Sequence, residues 1–343
     1  MYTTRSDLHA AILAFCSAIG KDPLLVQGAG GNVSYKYDDE LWVKASGTWL
    51  ADASTKDIFV PADLTELRAA IAQNEFDAAP RLARNSSLRP SIETMLHALM
   101  PQRIVAHVHA IEALVHLVSV DCETRLQELL GDFREWVLVD YYKPGAPLAT
   151  AVAQRLGESR NISVVFLRNH GVVVGGETTE EVSALLELLT SRLRSPVRET
   201  RAGPVAVAQR GLQELGNGYR RLRDSELERL VFDEDSYRRL TQSWALYPDH
   251  VVFLGPRALV YDRPPASGFG PSIEEGREYP IFIQGVGIFV GQKFNQAAHE
   301  QLRCYHDVIV RLSAEAQTCT LTVADIAGLL DWDAERYRIE NAK

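Results

Sequence analysis

Apolar and polar positions follow two different periods along this chain, and each period predicts one kind of secondary structure. Apolar residues at helical spacing predict helices at residues 6–19 and 179–193. Short apolar runs predict strands at residues 104–109 and 136–140. Because strands and helices are mixed throughout, the sequence predicts an α/β or α+β fold. Further helices are predicted at residues 63–72, 91–99 and 148–156, and hairpins at residues 33–45 and 163–174.

A change of composition between residues 194 and 204 divides the chain into two predicted domains. Ser, Pro, Arg, Glu, Thr and Gly dominate this stretch, which is typical of a linker. We therefore expect one domain over residues 1–198 and a C-terminal α/β extension over residues 205–343. The 343 residues are also more than one hydrophobic core usually serves. Within the extension, apolar runs at residues 251–254 and 281–290 predict strands.

A weak internal repeat relates the two predicted domains. The segment FLRNHGVVVG at residues 166–175 resembles FIQGVGIFVG at residues 282–291, and each is predicted as strand, glycine turn and strand. His170 of the first copy corresponds to Val286 of the second. The extension is therefore interpreted as a degenerate partial repeat that kept the hairpin and lost the polar group, and a structural role is predicted for it.

Composition and charge exclude several functional classes. The net charge of -9 weighs against nucleic acid or an anionic membrane as the main partner. The hydrophobic fraction of 46% is typical of a soluble globular protein, and no apolar run approaches the length of a membrane-spanning helix. The four cysteines form no CxxC pair, and the first residues show no secretory leader pattern. These features predict a cytoplasmic protein.

Three histidines are candidate metal ligands. His107 and His109 stand two positions apart at the end of a predicted strand, so both side chains project from one face. His170 lies in the turn of a predicted hairpin, where Gly171 is expected to take the unusual dihedral angles. Three imidazoles with an open fourth position are typical of a catalytic zinc site. The alternative is that the strand histidines pack together and His170 bonds to backbone.

A carboxylate for proton chemistry precedes the histidine strand. Glu93 lies in the first turn of the helix predicted at residues 91–99, and it is a candidate general base if burial raises its pKa toward neutrality. The alternative is a carboxylate that only stabilises the N-terminal end of that helix. The turn at residues 28–32 is a candidate for binding an anion through backbone N–H groups. The turn at residues 44–48 is a second candidate, because it combines the cation Lys44 with a hydroxyl group and a flexible glycine. The first turn lacks the GxGxxG fingerprint, because Val33 stands where the third glycine would be.

Five short motifs together resemble the class II aldolase and adducin head-domain family. They occur in the order that the family has, and they cover about residues 6–195. The pattern is most similar to the longer branch, which includes the aldolase portion of bifunctional aldolase/dehydrogenase proteins. The motifs are Gly30-Gly31-Asn32-Val33-Ser34, Val43-Lys44-Ala45-Ser46-Gly47, Ser91-Ile92-Glu93, His107-Val108-His109 and Arg168-Asn169-His170-Gly171.

The resemblance implies both a fold and a set of site residues. The implied fold is a three-layer α/β/α sandwich with a mixed, largely antiparallel central sheet, usually assembled as a tetramer. A divalent metal, commonly Zn²⁺, would be held by the residues matching His107, His109 and His170, with Glu93 as the acid/base. The residues that match the family's pocket for a substrate phosphate or carboxylate are Gly31, Asn32, Ser46, Gly47 and Ser91.

The resemblance also implies an activity. It predicts a metal-dependent lyase, an aldolase that acts on a small hydroxy-carbonyl or sugar-derived substrate through a metal-stabilised enediolate. Ile92 replaces a second hydroxyl residue in the phosphate pocket of the small sugar-phosphate aldolases, which weighs against a phosphorylated substrate. Two alternatives stay open: a decarboxylase or epimerase that uses the same site, and a non-catalytic assembly module like the adducin heads. A homo-oligomer is expected, with no nucleic-acid or membrane partner.

Overall fold

The protein forms two compact units in a computed structural model that describes residues 4–158, 161–199, 214–216, 218–264, 273–274, 277–330 and 332–342. The first unit comprises Met1–Arg194 together with Asp331–Ala342, and the second comprises Ser195–Leu330. The last helix therefore belongs with the first unit, whereas the sequence analysis placed it in the extension. Nothing in the composition of the chain predicts that the last helix returns to the first unit.

The first unit is built on a seven-stranded sheet. Its strands are β1 (Asn32–Tyr37), β2 (Glu40–Lys44), β3 (Phe59–Asp63), β4 (Ile104–Val108), β5 (Trp136–Val139), β6 (Val164–Leu167) and β7 (Gly171–Gly176). They lie in the order β3-β2-β1-β4-β7-β6-β5, and every neighbouring pair is antiparallel except β5 and β6. The mixed, largely antiparallel sheet that the sequence analysis expected is confirmed.

Helices cover both faces of this sheet and make the unit a three-layer sandwich, as predicted. The helices α1, α4, α5 and α7 share one hydrophobic core with the sheet, and α2, α3 and α6 share the cores on the opposite face. The helices of the unit are α1 (Arg5–Gly20), α2 (Leu64–Ala72), α3 (Thr94–Leu99), α4 (Ile111–Leu117), α5 (Cys122–Leu130), α6 (Ala146–Glu158), α7 (Thr179–Arg192) and, after the second unit, α13 (Asp333–Asn341), with a short 3-10 helix at Leu50–Asp52.

The central strand β4 and its neighbour β1 turn polar residues toward α3. Ala106 of β4 belongs to the core beneath α1, whereas Val105 belongs to the core beneath α3. Because side chains alternate along a strand, His107 shares the face of Val105. In β1, Val33 packs in the first core, so Asn32 lies on the same side of the sheet as His107. The pattern of the two strands thus assembles polar groups under one helix.

The second unit is an α/β region with a five-stranded sheet. This sheet has the order β10-β13-β14-β9-β8, and β11 pairs with β12 separately. No helix in the described part of the chain is long and apolar enough to span a membrane. The elements are β8 (Glu214–Gly216), β9 (Tyr219–Arg221), α8 (Arg229–Phe232), α9 (Glu234–Gln242), α10 (Pro248–Leu254), β10 (Leu259–Tyr261), β11 (Ile273–Glu274), β12 (Arg277–Glu278), β13 (Ile281–Ile283), β14 (Gly287–Val290), α11 (Gln296–Ile309) and α12 (Val323–Leu330).

Two sequence predictions can be compared with the second unit. The strand predicted at residues 251–254 is wrong, because these residues form the end of α10, which begins at Pro248. A four-residue apolar run fits a buried helix as well as a strand, so the run alone could not distinguish the two. The repeated segments have the same local structure: β6–β7 and β13–β14 are antiparallel hairpins, followed by α7 and α11 respectively.

Candidate metal centre

Three histidine rings converge at one end of the first unit's sheet. The ligand nitrogens of His107, His109 and His170 all lie within 4.8 Å of one another, and the three residues are buried. The ring centroid of His107 lies 5.0 Å from that of His109 and 4.8 Å from that of His170. His107 is in β4, His109 follows that strand, and His170 ends the turn before β7. The structure therefore brings together the three histidines that the sequence analysis grouped.

The turn that carries His170 differs from its prediction in one respect. Asn169, rather than Gly171, has the left-handed backbone, with φ +53°, and asparagine tolerates this region better than most residues. Gly171 is needed for another reason, because a Cβ there would lie 2.6 Å from the carbonyl oxygen of Val108 and 3.2 Å from Cε1 of His107. Gly171 thus allows β7 to approach β4 where the histidine rings stand.

The spacing of the ring nitrogens fits a small divalent cation. The Nε2 atoms of His107 and His109 are 3.2 Å apart. Ligands at 2.0–2.1 Å from a tetrahedral zinc ion would be separated by about 3.3 Å. Imidazole nitrogens also suit zinc and the neighbouring first-row metals. The donor set therefore fits the metal that the resemblance implied, and the three histidines could hold it.

Glu93 stands beside two of the three rings. One carboxylate oxygen, Oε2, is 3.6 Å from Nε2 of His107, and the other, Oε1, is 3.6 Å from Nε2 of His170. Burial by itself would raise the pKa of Glu93, but electrostatic interactions with His107 and His170 and a hydrogen bond from Asn32 outweigh it and lower the pKa to about 2. The expectation that burial raises this pKa toward neutrality is therefore wrong. The carboxylate is ionised at neutral pH.

The side chain of Glu93 is directed to the site and not to its own helix. Glu93 occupies the N-cap position of α3, yet its side chain makes no capping hydrogen bond. Its two oxygens face the histidines instead, as the distances above show. This geometry favours the acid/base interpretation over the alternative of a carboxylate that only stabilises a helix end.

Asn32 and His97 complete a buried polar cluster beneath α3. Nδ2 of Asn32 donates a hydrogen bond of 2.8 Å to Oε2 of Glu93. Oδ1 of Asn32 is hydrogen-bonded to Nε2 of His97, and Nδ1 of His97 lies 2.7 Å from Oγ of Ser34. Burial lowers the pKa of His97 to about 3, so the ring is neutral at physiological pH. The sequence places His97 one turn after Glu93, where it could orient that carboxylate, although a histidine on a helix face more often has a local partner.

Lys44 ties the two candidate anion turns together. Its Nζ donates to the carbonyl oxygen of Thr48 at 2.6 Å and to that of Ala29 at 3.3 Å, and the residue is buried. The ammonium group therefore sits between the turn at residues 28–32 and the turn at residues 44–48. Lys44 fixes the two turns relative to each other through their carbonyl groups, a role that the sequence did not reveal.

Ser46 and Ser91 lie on two backbone segments that are joined to each other. The backbone N–H of Ser46 donates to the carbonyl oxygen of Arg89 at 2.9 Å, and the N–H of Ser91 donates to that of Lys44 at 3.2 Å. Because these two N–H groups bind backbone, contacts to an anion here would come from the two hydroxyl groups and from the N–H of Gly47.

Two glycines in the candidate anion turns lie so close to another segment of the chain that a side chain at either position would not fit. Gly31 has φ +60°, and a Cβ there would lie 2.7 Å from the carbonyl oxygen of His107. Gly47 has φ +81°, and a Cβ there would lie 2.7 Å from Cβ of Asn341 in α13. The first glycine brings its turn against the histidine strand, and the second brings its turn against the last helix.

The sequence match to a known family agrees with this geometry. Residues 10–195 match the sequence model of the Class II Aldolase and Adducin N-terminal domain. The chain belongs to this family, and the resemblance found in the sequence analysis is confirmed.

The matches to individual relatives span different fractions of those proteins. The chain is 29% identical over 178 residues to Uncharacterized oxidoreductase YuxG of Bacillus subtilis (strain 168), a match that spans 47% of this chain and 25% of that protein. It is 31% identical over 176 residues to Methylthioribulose-1-phosphate dehydratase of Bacillus pumilus (strain SAFR-032), spanning 47% of this chain and 78% of that protein. A solved structure, the N-terminal Class II Aldolase domain of a conserved protein from Thermoplasma acidophilum, is 27% identical in sequence and has a TM-score of 0.48. The match covers 56% of this chain and 93% of that chain.

Proposed function

We propose that this chain is a metal-dependent lyase that acts on a small hydroxy-carbonyl or sugar-derived substrate. The observation that carries the proposal is the convergence of His107, His109 and His170, with Glu93 3.6 Å from two of the rings. A divalent cation on these three histidines, Zn²⁺ in the first instance, would supply a Lewis acid for the substrate's carbonyl group.

Glu93 is the group that moves the proton in this proposal. Its carboxylate is ionised and buried, so it can take a proton from the substrate and return it at a carbon next to the carbonyl. Oε2 accepts the hydrogen bond from Asn32, whereas Oε1 has no hydrogen-bond partner among the described residues. Oε1 is therefore the oxygen assigned to proton transfer.

We assign binding of the substrate's anionic group to the two turns that Lys44 connects, at residues 28–32 and 44–48. The N–H of Gly47 and the hydroxyl groups of Ser46 and Ser91 would hold a phosphate or a carboxylate, and Gly31 and Asn32 would line the other side. The ammonium group of Lys44, which donates to carbonyl oxygens of both turns, would add positive charge close to the anion. Backbone N–H groups and a nearby cation together favour an anion.

Two lyase reactions suit the same residues. Carbon–carbon cleavage of the aldolase type is the first candidate. Loss of water is the second, and the 31% identity to a protein named methylthioribulose-1-phosphate dehydratase favours it. Both reactions need a proton moved next to a carbonyl group. Because that relative is named for a phosphate ester, a phosphorylated substrate stays in the proposal despite Ile92.

The setting of the enzyme is part of the same proposal. We propose a homo-oligomer, a tetramer by family resemblance, in the cytoplasm. The described residues contain no disulfide, and Cys16 and Cys304 are buried thiols. Light scattering of the purified chain would test the tetramer, and a monomer at micromolar concentration would contradict it.

Turnover by purified, zinc-loaded protein tests the proposed function. Ketose phosphates, their unphosphorylated sugars and hydroxy-keto acids would be supplied, and the products would be identified by NMR. We expect cleavage or dehydration that stops in chelator, returns with zinc, and falls by about 100-fold or more in Glu93→Gln. Glu66→Gln is the matched control, because Glu66 lies in α2 with its side chain 48% exposed and pairs with Arg81.

The products also separate the alternatives. Release of carbon dioxide or inversion of a stereocentre would assign the decarboxylase or epimerase instead. Undiminished turnover in chelator would contradict the metal-dependent mechanism. A metal-loaded protein that converts none of these substrates, yet assembles with itself, would favour the non-catalytic module.

A further inference from the structure

The orientation of the Asn32 amide is fixed by its neighbour Glu93. The amide edge that faces the carboxylate is the NH₂ group, which donates, while a carboxylate oxygen accepts. Nδ2 of Asn32 is indeed 2.8 Å from Oε2 of Glu93. The other edge of the same amide, Oδ1, must then accept a hydrogen bond from His97.

The tautomer of His97 follows from that amide. Because Oδ1 of Asn32 is an acceptor, Nε2 of His97 must carry the proton of the neutral ring. The remaining nitrogen, Nδ1, is then an acceptor, and the hydroxyl of Ser34 donates to it across 2.7 Å. The three hydrogen bonds therefore all point the same way: Ser34 donates to His97, His97 donates to Asn32, and Asn32 donates to Glu93.

His97 is also the point where α3 is held against β1. Asn32, Ser34 and Lys36 alternate along β1 on one face of the sheet, and each bonds to His97. The first two meet the imidazole ring, and Nζ of Lys36 donates to the backbone carbonyl of His97 at 3.2 Å. His97 is fully buried, so water cannot replace these contacts.

We propose that His97 is a positioning residue for the proton-transfer carboxylate: its Nε2–H holds the Asn32 amide in the orientation that donates to Glu93 and so aims Oε1 at the histidine site. This inference rests on the role proposed for Glu93. If His97 carried its proton on Nδ1, Nε2 would face Oδ1 as a second acceptor. The amide would then turn over and present its oxygen to the carboxylate.

Paired variants at position 97 test the proposal. In His97→Gln the side-chain amide can place an N–H near the position of Nε2, whereas His97→Leu offers no donor. With zinc loaded, we expect kcat of His97→Leu to fall about 100-fold, the scale of one acid/base group, with little change in KM. His97→Gln should recover most of kcat, and the zinc content of both variants should equal that of the wild type. A purely structural role would affect both variants alike.

NMR of histidine labelled with ¹⁵N gives a readout that does not depend on activity. We expect His97 to be neutral, protonated on Nε2, and bonded at Nδ1. Ser34→Ala keeps the imidazole but removes the donor to Nδ1, so we expect a shift of the Nδ1 resonance and a fall of kcat. This variant also keeps the proposal testable if His97→Leu does not fold.

The outcomes separate this inference from the proposed function. Protonation of His97 on Nδ1 in the wild type would overturn the inference whatever the activity. Equal losses of kcat in His97→Gln and His97→Leu would also overturn it. A wild type that turns over no substrate would instead overturn the proposed function, and the tautomer and its response to Ser34→Ala would still decide whether the hydrogen bonds run as inferred.

Discussion

Asn32 lies directly opposite His107 in the antiparallel pair β1–β4, and both side chains face the same oxygen of Glu93. Nδ2 of Asn32 is 2.8 Å from that oxygen, Oε2, and Nε2 of His107 is 3.6 Å from it. The register of one strand pair thus sets the spacing between a candidate metal ligand and the candidate base. A slip of one residue would turn one of the two side chains to the other face of the sheet.

We expect Gly31→Ala to disturb this register. Gly31 immediately precedes β1, its φ is +60°, and the new Cβ would lie 2.7 Å from the carbonyl oxygen of His107. The strained backbone alone costs about 1–3 kcal/mol of unfolding free energy, and the contact adds to this cost. Urea unfolding would measure the loss, and zinc affinity should weaken in the same variant.

Gly157→Ala is the matched control for Gly31→Ala. Gly157 lies near the end of α6, and a Cβ there would meet no atom within 4 Å. Alanine is the better helix former, so we expect unchanged stability or a gain of up to about 1 kcal/mol. Equal stability of Gly31→Ala and the wild type would show that the close approach at β4 is not required.

Lys44→Met should loosen the two anion turns. The substitution keeps a long side chain but leaves the carbonyl oxygens of Ala29 and Thr48 without the ammonium donor. Losing hydrogen bonds from a charged group should lower the unfolding free energy by about 2–4 kcal/mol. For the substrate identified by turnover, KM should rise more than kcat falls, because the proposed function assigns anion binding to the turns and proton transfer to Glu93.

Lys56→Met is the corresponding control on the surface. Its ion pair with Asp52 spans 2.8 Å, but the lysine side chain is 65% exposed. Such pairs contribute at most about 1 kcal/mol, so we expect little change in stability and none in KM. If Lys44→Met behaved like Lys56→Met, the two turns would not depend on the buried ammonium.

His250 should make the second unit sensitive to acid. The ring is fully buried, its centroid is 4.2 Å from that of Trp244, and neither nitrogen has a hydrogen-bond partner among the described residues. Burial lowers the pKa of His250 to about 3, whereas the unfolded chain has a value of about 6.5. Between these values the unfolded state binds the extra proton. The unfolding free energy therefore falls with decreasing pH, by up to about 1.4 kcal/mol per pH unit from this group.

His250→Phe removes this titration while keeping an aromatic ring among the same neighbours. Urea unfolding at pH 7, 6 and 5 should show that the stability of the variant relative to the wild type increases as the pH falls. A difference that stays constant over this range would mean that His250 does not titrate differently in the folded and unfolded states.

The sequence could predict the parts of the site that depend on local rules. The two-residue period of a strand places His107 and His109 on one side, and this needs no tertiary information. Glycine-containing turns indicated the candidate anion pocket, and Gly31 and Gly47 do adopt left-handed backbones in these turns. The predicted hairpin turn offered His170 as the third ligand, and the order of the motifs then indicated the family, which implied the layered fold.

The features of the site that the sequence could not predict depend on contacts between distant segments of the chain. The hydrogen bond between His97 and Asn32 joins residues 65 positions apart, so no local pattern reveals it. Lys44 resembled an anion-binding cation, but the fold turns its Nζ toward carbonyl groups. The sequence analysis considered only burial for the pKa of Glu93, whereas interactions with the neighbouring histidines and Asn32 decide the direction of its shift.

Metal content measured by elemental analysis tests the central claim most directly. The wild type, reloaded with zinc and freed of excess ion, should hold about one ion per chain, the stoichiometry of a single three-histidine site. His107→Ala, His109→Ala and His170→Ala should each lose that ion while remaining folded by circular dichroism. His299→Ala, which removes a histidine paired with Asp224 in the second unit, should keep it. A wild type that binds no ion, or a folded His170→Ala variant with its full complement, would contradict the account.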